Sequence, residues 1–212
     1  MQEPLVAVPP IEPVGLDGAA GPAATRLVDA ALACIARVGV SKSTLDDVAR
    51  EAGVSRATLY RYFPGKPALL GAVVAREAAT LSAALDHAAA SATTLSDAVV
   101  AMVLEAQRWL TAHDALNFVL LAEPELLLPH LAFDGADRVL DAGARVVAPA
   151  LARFLDSDDA ARAAEWLARI LLSYLCSPTD TVELSDPNSV RALVDDFVVP
   201  GLTTVSSQGV TP

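Results

Sequence analysis

Apolar residues recur at intervals of three and four along most of this 212-residue chain, which is the spacing of one face of an α-helix. No stretch alternates apolar and polar residues as a half-buried strand does. The pattern therefore predicts an all-α fold of about nine helices. The expected helices cover residues 22–38, 45–52, the segment after Ser55, 66–91, 95–112, 114–121, 134–155, 159–176 and 187–202, with a short one near 125–131.

Two of the short helices are joined by a tight turn. Thr44 precedes the first helix, and with Asp47 three residues later it has the form of a capping box. Gly53 stands where the chain needs a residue that tolerates the left-handed conformation, and Ser55 is placed to cap the next helix by accepting from an amide of its first turn. The order of helix, tight turn and helix predicts a helix-turn-helix motif.

The second helix of this motif has one face suited to reading DNA. Leu59 and Phe63 are four residues apart and are expected to point into the core, so the opposite face is exposed. That face carries Ala57, Thr58, Tyr60 and Arg61. In a major groove, the guanidinium of Arg61 suits a guanine edge, and the methyl groups of Ala57 and Thr58 suit a thymine methyl.

Other polar residues of the motif suit the phosphate backbone. Thr44 and Ser55 lie at helix N-termini, where free amides already favour an anion, and Tyr60 and Lys66 carry donors nearby. Arg56, in the first turn of the second helix, suits either a base or a phosphate. The alternative is that the segment is only a corner in an all-helical protein and has no role in DNA binding.

Residues 49–70, AREAGVSRATLYRYFPGKPALL, extend the motif well beyond a generic corner, and across about 27–70 the chain resembles the TetR family of bacterial transcriptional regulators. The resemblance implies an N-terminal three-helix DNA-binding domain, a larger helical domain for ligand binding and dimerisation, and repression that a small molecule relieves. It also implies operator contacts from Thr44, Arg56, Thr58, Tyr60, Arg61 and Lys66. Arg61 stands where the family often has His, so the family's base preference does not carry over there.

Three segments follow from this assignment. Residues 1–21 are rich in proline and glycine and lack a helical period, so we expect a flexible arm, and without Lys or Arg we do not expect it to reach the minor groove. Residues 22–67 form the expected DNA-binding domain. Residues 68–212 form the expected ligand-binding and dimerisation domain, and the helix that begins at Lys66 connects the two.

The distribution of charge agrees with a DNA-binding N-terminal region. The net charge is −11, yet residues 26–76 carry eight Lys and Arg against four Asp and Glu. From residue 77 onward there are seven basic residues against nineteen acidic ones. The acidic part would be repelled by a duplex, so the asymmetry would orient the basic part towards DNA. Basic residues such as Arg26, Arg37 and Arg50 equally suit a solvated helix face.

Several other classes of protein lack support in the sequence. There is no uncharged apolar run of about 18 residues and no basic start followed by an apolar centre, so we expect a soluble cytoplasmic protein without a membrane partner. The histidines have no metal-ligand spacing, and Cys34 and Cys176 lie in apolar helical patterns, so neither a metal nor a disulfide is expected. No catalytic triad, phosphate loop or carboxylate pair indicates an enzyme, although a triad built from distant residues stays an alternative.

The last two long helices are apolar around almost their whole circumference, which is more than one core can take up. We therefore expect them to form a four-helix bundle with a second copy, which is the dimer of the family. The expected interface comprises Trp166, Ile170, Tyr174, Val190, Leu193, Val194 and Phe197. The alternative is that these residues all belong to the core of one chain.

A small-molecule effector is expected in the larger domain, with no other cofactor. Met102, Ala106, Trp109 and His113 share a helical face, and Asn117 and Phe118 follow closely, so these six residues are the candidate ligand site. A Met and Trp stripe at helical spacing is more often part of an ordinary core. The scarcity of charge favours a lipophilic effector, and resemblance of the C-terminal region to actinobacterial members suggests a fatty acid or another long-chain apolar compound. Repressor and activator are not distinguished by the sequence.

Overall fold

The computed structural model describes residues 21–126, 136–176, 179 and 181–203. In these ranges the chain is helical and has no strand, which confirms the predicted all-α class. The helices are α1 (Pro22–Lys42), α2 (Leu45–Glu51), α3 (Arg56–Tyr62), α4 (Lys66–Ala89), α5 (Leu95–Ala112), α6 (Asp114–Ala122), α7 (Ala136–Leu151), α8 (Ser157–Cys176), α9 (Pro187–Leu193) and α10 (Val199–Thr203). Residues 1–20 of the predicted arm and residues 127–131 of the predicted short helix lie outside the described residues.

Two helices differ from their predicted course. Gly39, which was expected to end α1, has φ +84° and breaks the helical geometry, but the helix continues to Lys42. The predicted helix over 187–202 is divided into α9, a π-helical segment Val194–Val198, and α10. Near residue 125, the described part of the predicted short helix is a single 3₁₀ turn, Pro124–Leu126.

The described chain divides into two compact units. The first comprises the chain up to Glu77 together with His113–Arg138. Its core is formed by small and apolar residues of α1 to α4, among which Leu27, Cys34 and Leu59 are almost wholly enclosed. A second cluster, Ile35 with Ala115 and Val119, packs α6 against α1. The unit thus extends beyond the expected boundary at residue 67 and takes up α6, because α6 buries its apolar face on α1.

The second unit comprises Ala78–Ala112 and the chain from Val139 onward. Its core is built from apolar residues of α4, α5, α7, α8 and α9, among which Leu85, Val99 and Leu151 are wholly buried. Polar contacts bind its helices to one another: the Ser82 hydroxyl donates to the carbonyl of Val146 at 3.0 Å. The unit is therefore a helical bundle with its own apolar interior.

Helix α4 contributes to both units. It buries Leu69 and Val73 in the core of the first and Leu85 and Ala89 in the core of the second. Among the described helices, α4 is long and apolar enough, by length and composition alone, to cross a membrane. Of the apolar window of α4, 22% is buried, and its buried residues belong to the two cores.

Candidate nucleic-acid interface and ligand cavity

The capping box predicted at the start of α2 is present. The amide of Asp47 donates to the Thr44 hydroxyl at 3.1 Å, and the amide of Thr44 donates to the Asp47 carboxylate at 3.3 Å. The hydroxyl of Thr44 in turn donates to the same carboxylate. These bonds, with a further contribution from Arg50, hold the pKa of the Asp47 carboxyl below its usual value. The cap fixes the start of α2 without any contribution from DNA.

The turn and the second cap also follow the prediction. Gly53 has φ +65°, a left-handed conformation that is unfavourable for residues with a Cβ atom. Ser55 accepts from the amide of Thr58 at 3.1 Å, and the two hydroxyls are 2.9 Å apart. Together they orient α3 relative to α2, which completes a helix-turn-helix.

Helix α3 turns its apolar residues inward and its donors outward. Leu59 and Phe63 are buried in the core of the first unit, as predicted. On the opposite face, Ala57 and Arg61 are exposed, and 51% of the Tyr60 side chain is accessible. The Arg61 guanidinium lies over the ring of Tyr62, 5.2 Å from its centre. The face of α3 that is predicted to read base edges is therefore exposed and accessible to a binding partner.

Arg56 is exposed but already has an acidic partner. Its guanidinium forms an ion pair with Asp46 of α2, and both side chains remain largely accessible. An exposed pair of this kind contributes at most about 1 kcal/mol, so a phosphate can compete with Asp46 for the guanidinium. The ion pair with Asp46 thus holds the guanidinium of Arg56 beside the start of α3.

Lys66, expected at a phosphate, is engaged within the protein. Its ammonium donates to the carbonyl of Val40 at 2.6 Å and lies 3.5 Å from that of Ser41. Burial lowers the pKa of Lys66, and the Glu123 carboxylate partly opposes this shift. The ammonium therefore stabilises the carboxyl end of α1, and the structure gives it this role in place of a free surface charge.

Glu123 is a buried residue that the sequence pattern did not identify. Its side chain is 7% exposed, and its carboxylate accepts from the amides of Val40 at 2.6 Å and Ser41 at 3.0 Å. The partners are more than 80 residues apart in the chain, so no local spacing reveals the contact. Glu123 connects the end of α6 to the segment that leads into the helix-turn-helix.

The residues expected at a dimer interface fall into two groups. Val190 and Val194 are wholly buried inside the second unit, so their side chains cannot face a second copy. The two valines are buried because α9 and the π-helical segment pack against α5 in the core of the same chain. The remaining five keep some exposure: Trp166, Ile170, Tyr174, Leu193 and Phe197. Phe197 is 70% exposed and Trp166 is 36% exposed, with the Trp166 ring packed beside Gly201.

The six candidate ligand residues divide between the two units. His113, Asn117 and Phe118 belong to the first unit. There the His113 ring caps α6 by accepting from the amide of Leu116 at 3.1 Å, and its other nitrogen lies 3.1 Å from the Glu77 carboxylate. The Phe118 ring packs against Gly39. These contacts give His113 and Phe118 structural roles within the first unit.

Met102, Ala106 and Trp109 belong to the second unit, where Met102 is buried and Trp109 is half-buried. This unit contains a cavity of about 150 Å³. Of the six candidates, only Ala106 lines this cavity. The lining residues are Leu81, Leu85, Val103, Ala106, Gln107, Leu110, Gly143, Val146, Val147, Ala168, Leu171, Leu172 and Leu184. The cavity thus differs in composition from the predicted site, because α7 and α8 supply much of its wall.

Two further features concern metals and thiols. Within the described ranges, no three His, Cys, Asp or Glu side chains are grouped so that they could hold a metal ion. Cys34 is buried in α1, and burial raises the pKa of its thiol. The thiol lies in the apolar core of the first unit, as expected from its sequence context, and its sulfur accepts from the Arg37 guanidinium at 3.6 Å.

Comparison with known proteins connects this architecture to a family. The family profile described as bacterial regulatory proteins, tetR family, matches residues 27–73. An HTH-type transcriptional regulator of Mycobacterium tuberculosis is 30% identical over 191 residues, which cover 87% of this chain and 88% of the relative. The HTH-type transcriptional regulator SrpR of Pseudomonas putida is 50% identical over 50 residues, 24% of each chain. The similarity to the first relative thus extends over both units.

Solved structures show the same fold. The TetR family repressor AlkX from a Dietzia strain superposes with a TM-score of 0.66 and 22% identity, covering 88% of this chain and 97% of that protein. The regulator FadR from Bacillus subtilis, solved in complex with stearoyl-CoA, superposes with a TM-score of 0.52 and 17% identity over 80% of this chain and 96% of FadR. At these identities the similarity establishes the arrangement of helices.

Proposed function

The chain belongs to the TetR family of bacterial transcriptional regulators, and from that premise we propose that it is a repressor. It binds a palindromic operator as a homodimer and is released by a small lipophilic effector. Regulators of this kind act on DNA in the cytoplasm and require no catalytic site. The proposal covers three separable properties: operator reading, dimerisation and effector binding.

The open face of α3 is the observation that carries operator reading. Both helices of the helix-turn-helix are capped at their N-termini by side chains of this chain. The side chains that remain exposed on α3 are Arg56, Ala57, Tyr60 and Arg61. Thr58 is half-buried and its hydroxyl lies 2.9 Å from that of Ser55, so in this proposal its methyl group contacts the base. Arg61 then suits a guanine edge, and Arg56 and Tyr60 suit phosphates.

Exposed apolar residues of the second unit support dimerisation. Phe197 and Trp166 are large, and exposed aromatic rings of this size favour an interface. Together with Ile170, Tyr174 and Leu193 they form the proposed contact with a second copy. A two-fold dimer places two α3 helices in successive major grooves, so the operator is expected to be a palindrome with half-sites about one helical turn of DNA apart, or somewhat more.

Sedimentation equilibrium tests this dimer directly. Replacing Phe197 with Ser should weaken self-association by removing a large exposed ring. Leu121→Ser is a matched control, because Leu121 is 86% exposed but lies on α6, outside the proposed contact. Equal self-association of the two variants would remove Phe197 from the interface.

The apolar cavity supports a lipophilic effector. Its walls come from α4, α5, α7 and α8 and from Leu184, and apolar side chains dominate them. Such a ligand releases the operator only if it binds better to the conformation in which the dimer does not fit DNA. Each tenfold loss of operator affinity requires about 1.4 kcal/mol of that preference.

The decisive experiment is a gel shift with the DNA upstream of the protein's own gene, followed by footprinting. A protected palindrome supports the proposal, and loss of protection with Arg61→Ala connects it to α3. Protein that is dimeric and binds ligand but protects no DNA would instead be a ligand-binding member of the family without an operator. The salt dependence of binding is measured at the same time, since phosphate contacts release counterions.

A further inference from the structure

We propose that the cavity of the second unit takes a small, uncharged hydrocarbon, of about the size of benzene or toluene, and does not take a long-chain acid or its coenzyme A ester. The proposal deepens the effector part of the proposed function and rests on it. It is argued from the volume of the cavity and from the chemistry of its wall.

The volume sets the size of the ligand. The cavity measures about 150 Å³. In another protein, an engineered apolar cavity of about the same volume stays empty of water and binds benzene. By this comparison the cavity here accommodates about six to eight carbon atoms. A chain of about 18 carbons exceeds that space more than twofold, so most of it would have to lie outside the cavity or displace side chains of its wall.

The wall sets the polarity of the ligand. Twelve of the lining residues are apolar or glycine, and the thirteenth is Gln107. The amide nitrogen of Gln107 donates to the Thr111 hydroxyl at 3.4 Å, one turn further along α5. The polar end of this side chain is thus directed along the helix, and the lining offers a bound molecule mainly carbon atoms.

An ionised head group is disfavoured by the same wall. None of the lining residues is Lys, Arg or His, so a carboxylate in the cavity would lose its hydration without gaining a charged partner. A hydrocarbon loses no hydrogen bonds on entering, and burial of its surface is favourable. The structure of FadR from Bacillus subtilis contains stearoyl-CoA, whose acyl chain and charged head group both lie outside these limits.

Direct binding to the full chain tests the proposal without DNA. Ligand-observed NMR in sealed tubes would compare the binding of toluene, hexanoate, stearate and stearoyl-CoA at the same protein concentration. Toluene should bind saturably and at least about tenfold more tightly than hexanoate, because the carboxylate of hexanoate lacks a partner. Absence of toluene binding would overturn the proposal. So would binding of stearate or stearoyl-CoA that competes with toluene and is the tighter of the two.

A variant that fills the cavity assigns the binding site. Val146 lines the cavity and is half-buried, so Val146→Phe places a ring in the space. Toluene affinity should fall at least about tenfold. Val38→Phe makes the same change on α1 of the first unit, where Val38 is 39% exposed, and should leave toluene binding unchanged. Equal toluene affinity in both variants would place the ligand elsewhere and overturn the proposal.

A variant that enlarges the cavity tests the size limit and does not depend on overpacking. Leu172→Ala removes part of the wall, whereas Leu104→Ala removes an equally half-buried leucine that packs against the core but does not line the cavity. The ratio of naphthalene to toluene affinity should rise about fivefold or more in the first variant only. An unchanged ratio in Leu172→Ala would show that volume does not select the ligand.

Failure of this inference is distinguishable from failure of the regulator. Toluene binding with the expected variant effects but no protected operator would support the proposed ligand class and contradict the proposed repressor function. Operator protection that stearoyl-CoA relieves and toluene does not would keep the repressor and overturn the ligand class.

Discussion

The carboxylate of Glu123 occupies the space that a side chain on residue 39 would need: a Cβ built on Gly39 would lie 2.7 Å from Cδ of Glu123. The Phe118 ring lies equally close, at 2.7 Å. Gly39 has φ +84°, and the two amides that follow it, those of Val40 and Ser41, donate to Glu123. The break in α1 and the burial of Glu123 are therefore one arrangement, which depends on glycine at residue 39.

Replacing Gly39 with Ala should destabilise the protein by about 2–4 kcal/mol. The new side chain would sit at a positive φ, and its Cβ would clash with Glu123 and Phe118 unless those side chains or the backbone moved. Gly53→Ala is the matched control, because Gly53 has φ +65° but a Cβ there would meet nothing within 4 Å. Its cost should be about 1 kcal/mol, from the backbone alone. Urea unfolding gives both values. Equal losses would show that Glu123 and Phe118 move aside freely.

Glu123→Gln keeps the shape of the side chain but replaces one of its two acceptor oxygens with an NH₂ group. One amide of the pair at Val40 and Ser41 is then left without its partner in a buried position, at a cost of about 1–3 kcal/mol. Glu165→Gln is a suitable comparison, since Glu165 makes an exposed i,i+4 pair with Arg169 and should lose no more than about 0.5 kcal/mol. Denaturant midpoints with unchanged m-values would measure both, and similar losses would contradict a buried anchor.

Features within a few residues of one another were accessible from the sequence. The Thr44 capping box, the positive φ of Gly53 and the inward side of α3 were all predicted and are present. Each depends on spacing along the chain, since a cap reaches three residues and a helix turns every 3.6. The exposed face of α3, which rests on the same spacing, could therefore be predicted from the pattern.

Features that depend on packing between distant segments could not be predicted from the sequence. Nothing near Glu123 in the sequence indicates the amides of Val40 and Ser41 as its partners. Hydrophobicity predicted Val190 and Val194 at an interface because an apolar side chain favours burial but does not specify the surface that buries it. In the structure, the core of the same chain buries both valines. The predicted stripe on α5 does not contain the residues of α7 and α8 that line the cavity, since the pattern of a single helix does not reveal its neighbours.

The cap of α2 should make stability depend on pH in the acid range. The Thr44 hydroxyl holds the pKa of Asp47 below its usual value of 3.8, so the ionised carboxylate stabilises the folded state. This contribution is complete above the unfolded pKa and is lost as the pH falls through the folded pKa. Asp47→Asn should therefore flatten the fall in melting temperature between neutral pH and the acid limb. Asp158→Asn, which removes an acidic side chain from the first turn of α8, serves for comparison. An acid limb of equal slope in Asp47→Asn and wild type would contradict the linkage.

Release of Arg56 from its partner should strengthen binding to DNA. Asp46→Asn removes the acidic half of the exposed pair and frees the Arg56 guanidinium for a phosphate. Glu51→Gln removes the same charge from α2 and frees Arg37, which has no proposed contact with DNA. Fluorescence anisotropy at several salt concentrations should show a larger gain in affinity, and a steeper salt slope by about one counterion, for Asp46→Asn. Equal gains would mean that net charge alone accounts for the effect.

Arg61 is expected to read a base, whereas Arg56 and Tyr60 are expected to contact phosphates. In the free protein its guanidinium rests over the ring of Tyr62, an exposed contact that costs little to leave. Arg61→Ala should weaken operator binding by about 1–3 kcal/mol and relax the preference at one base pair. Arg37→Ala removes an equal charge from the same unit, where Arg37 pairs with Glu51, and should weaken operator and random DNA alike. The informative quantity is the ratio of operator to random-DNA affinity: it should fall for Arg61→Ala and stay constant for Arg37→Ala. A constant ratio in both variants would assign Arg61 to the phosphate backbone and leave base reading to Ala57 and Thr58.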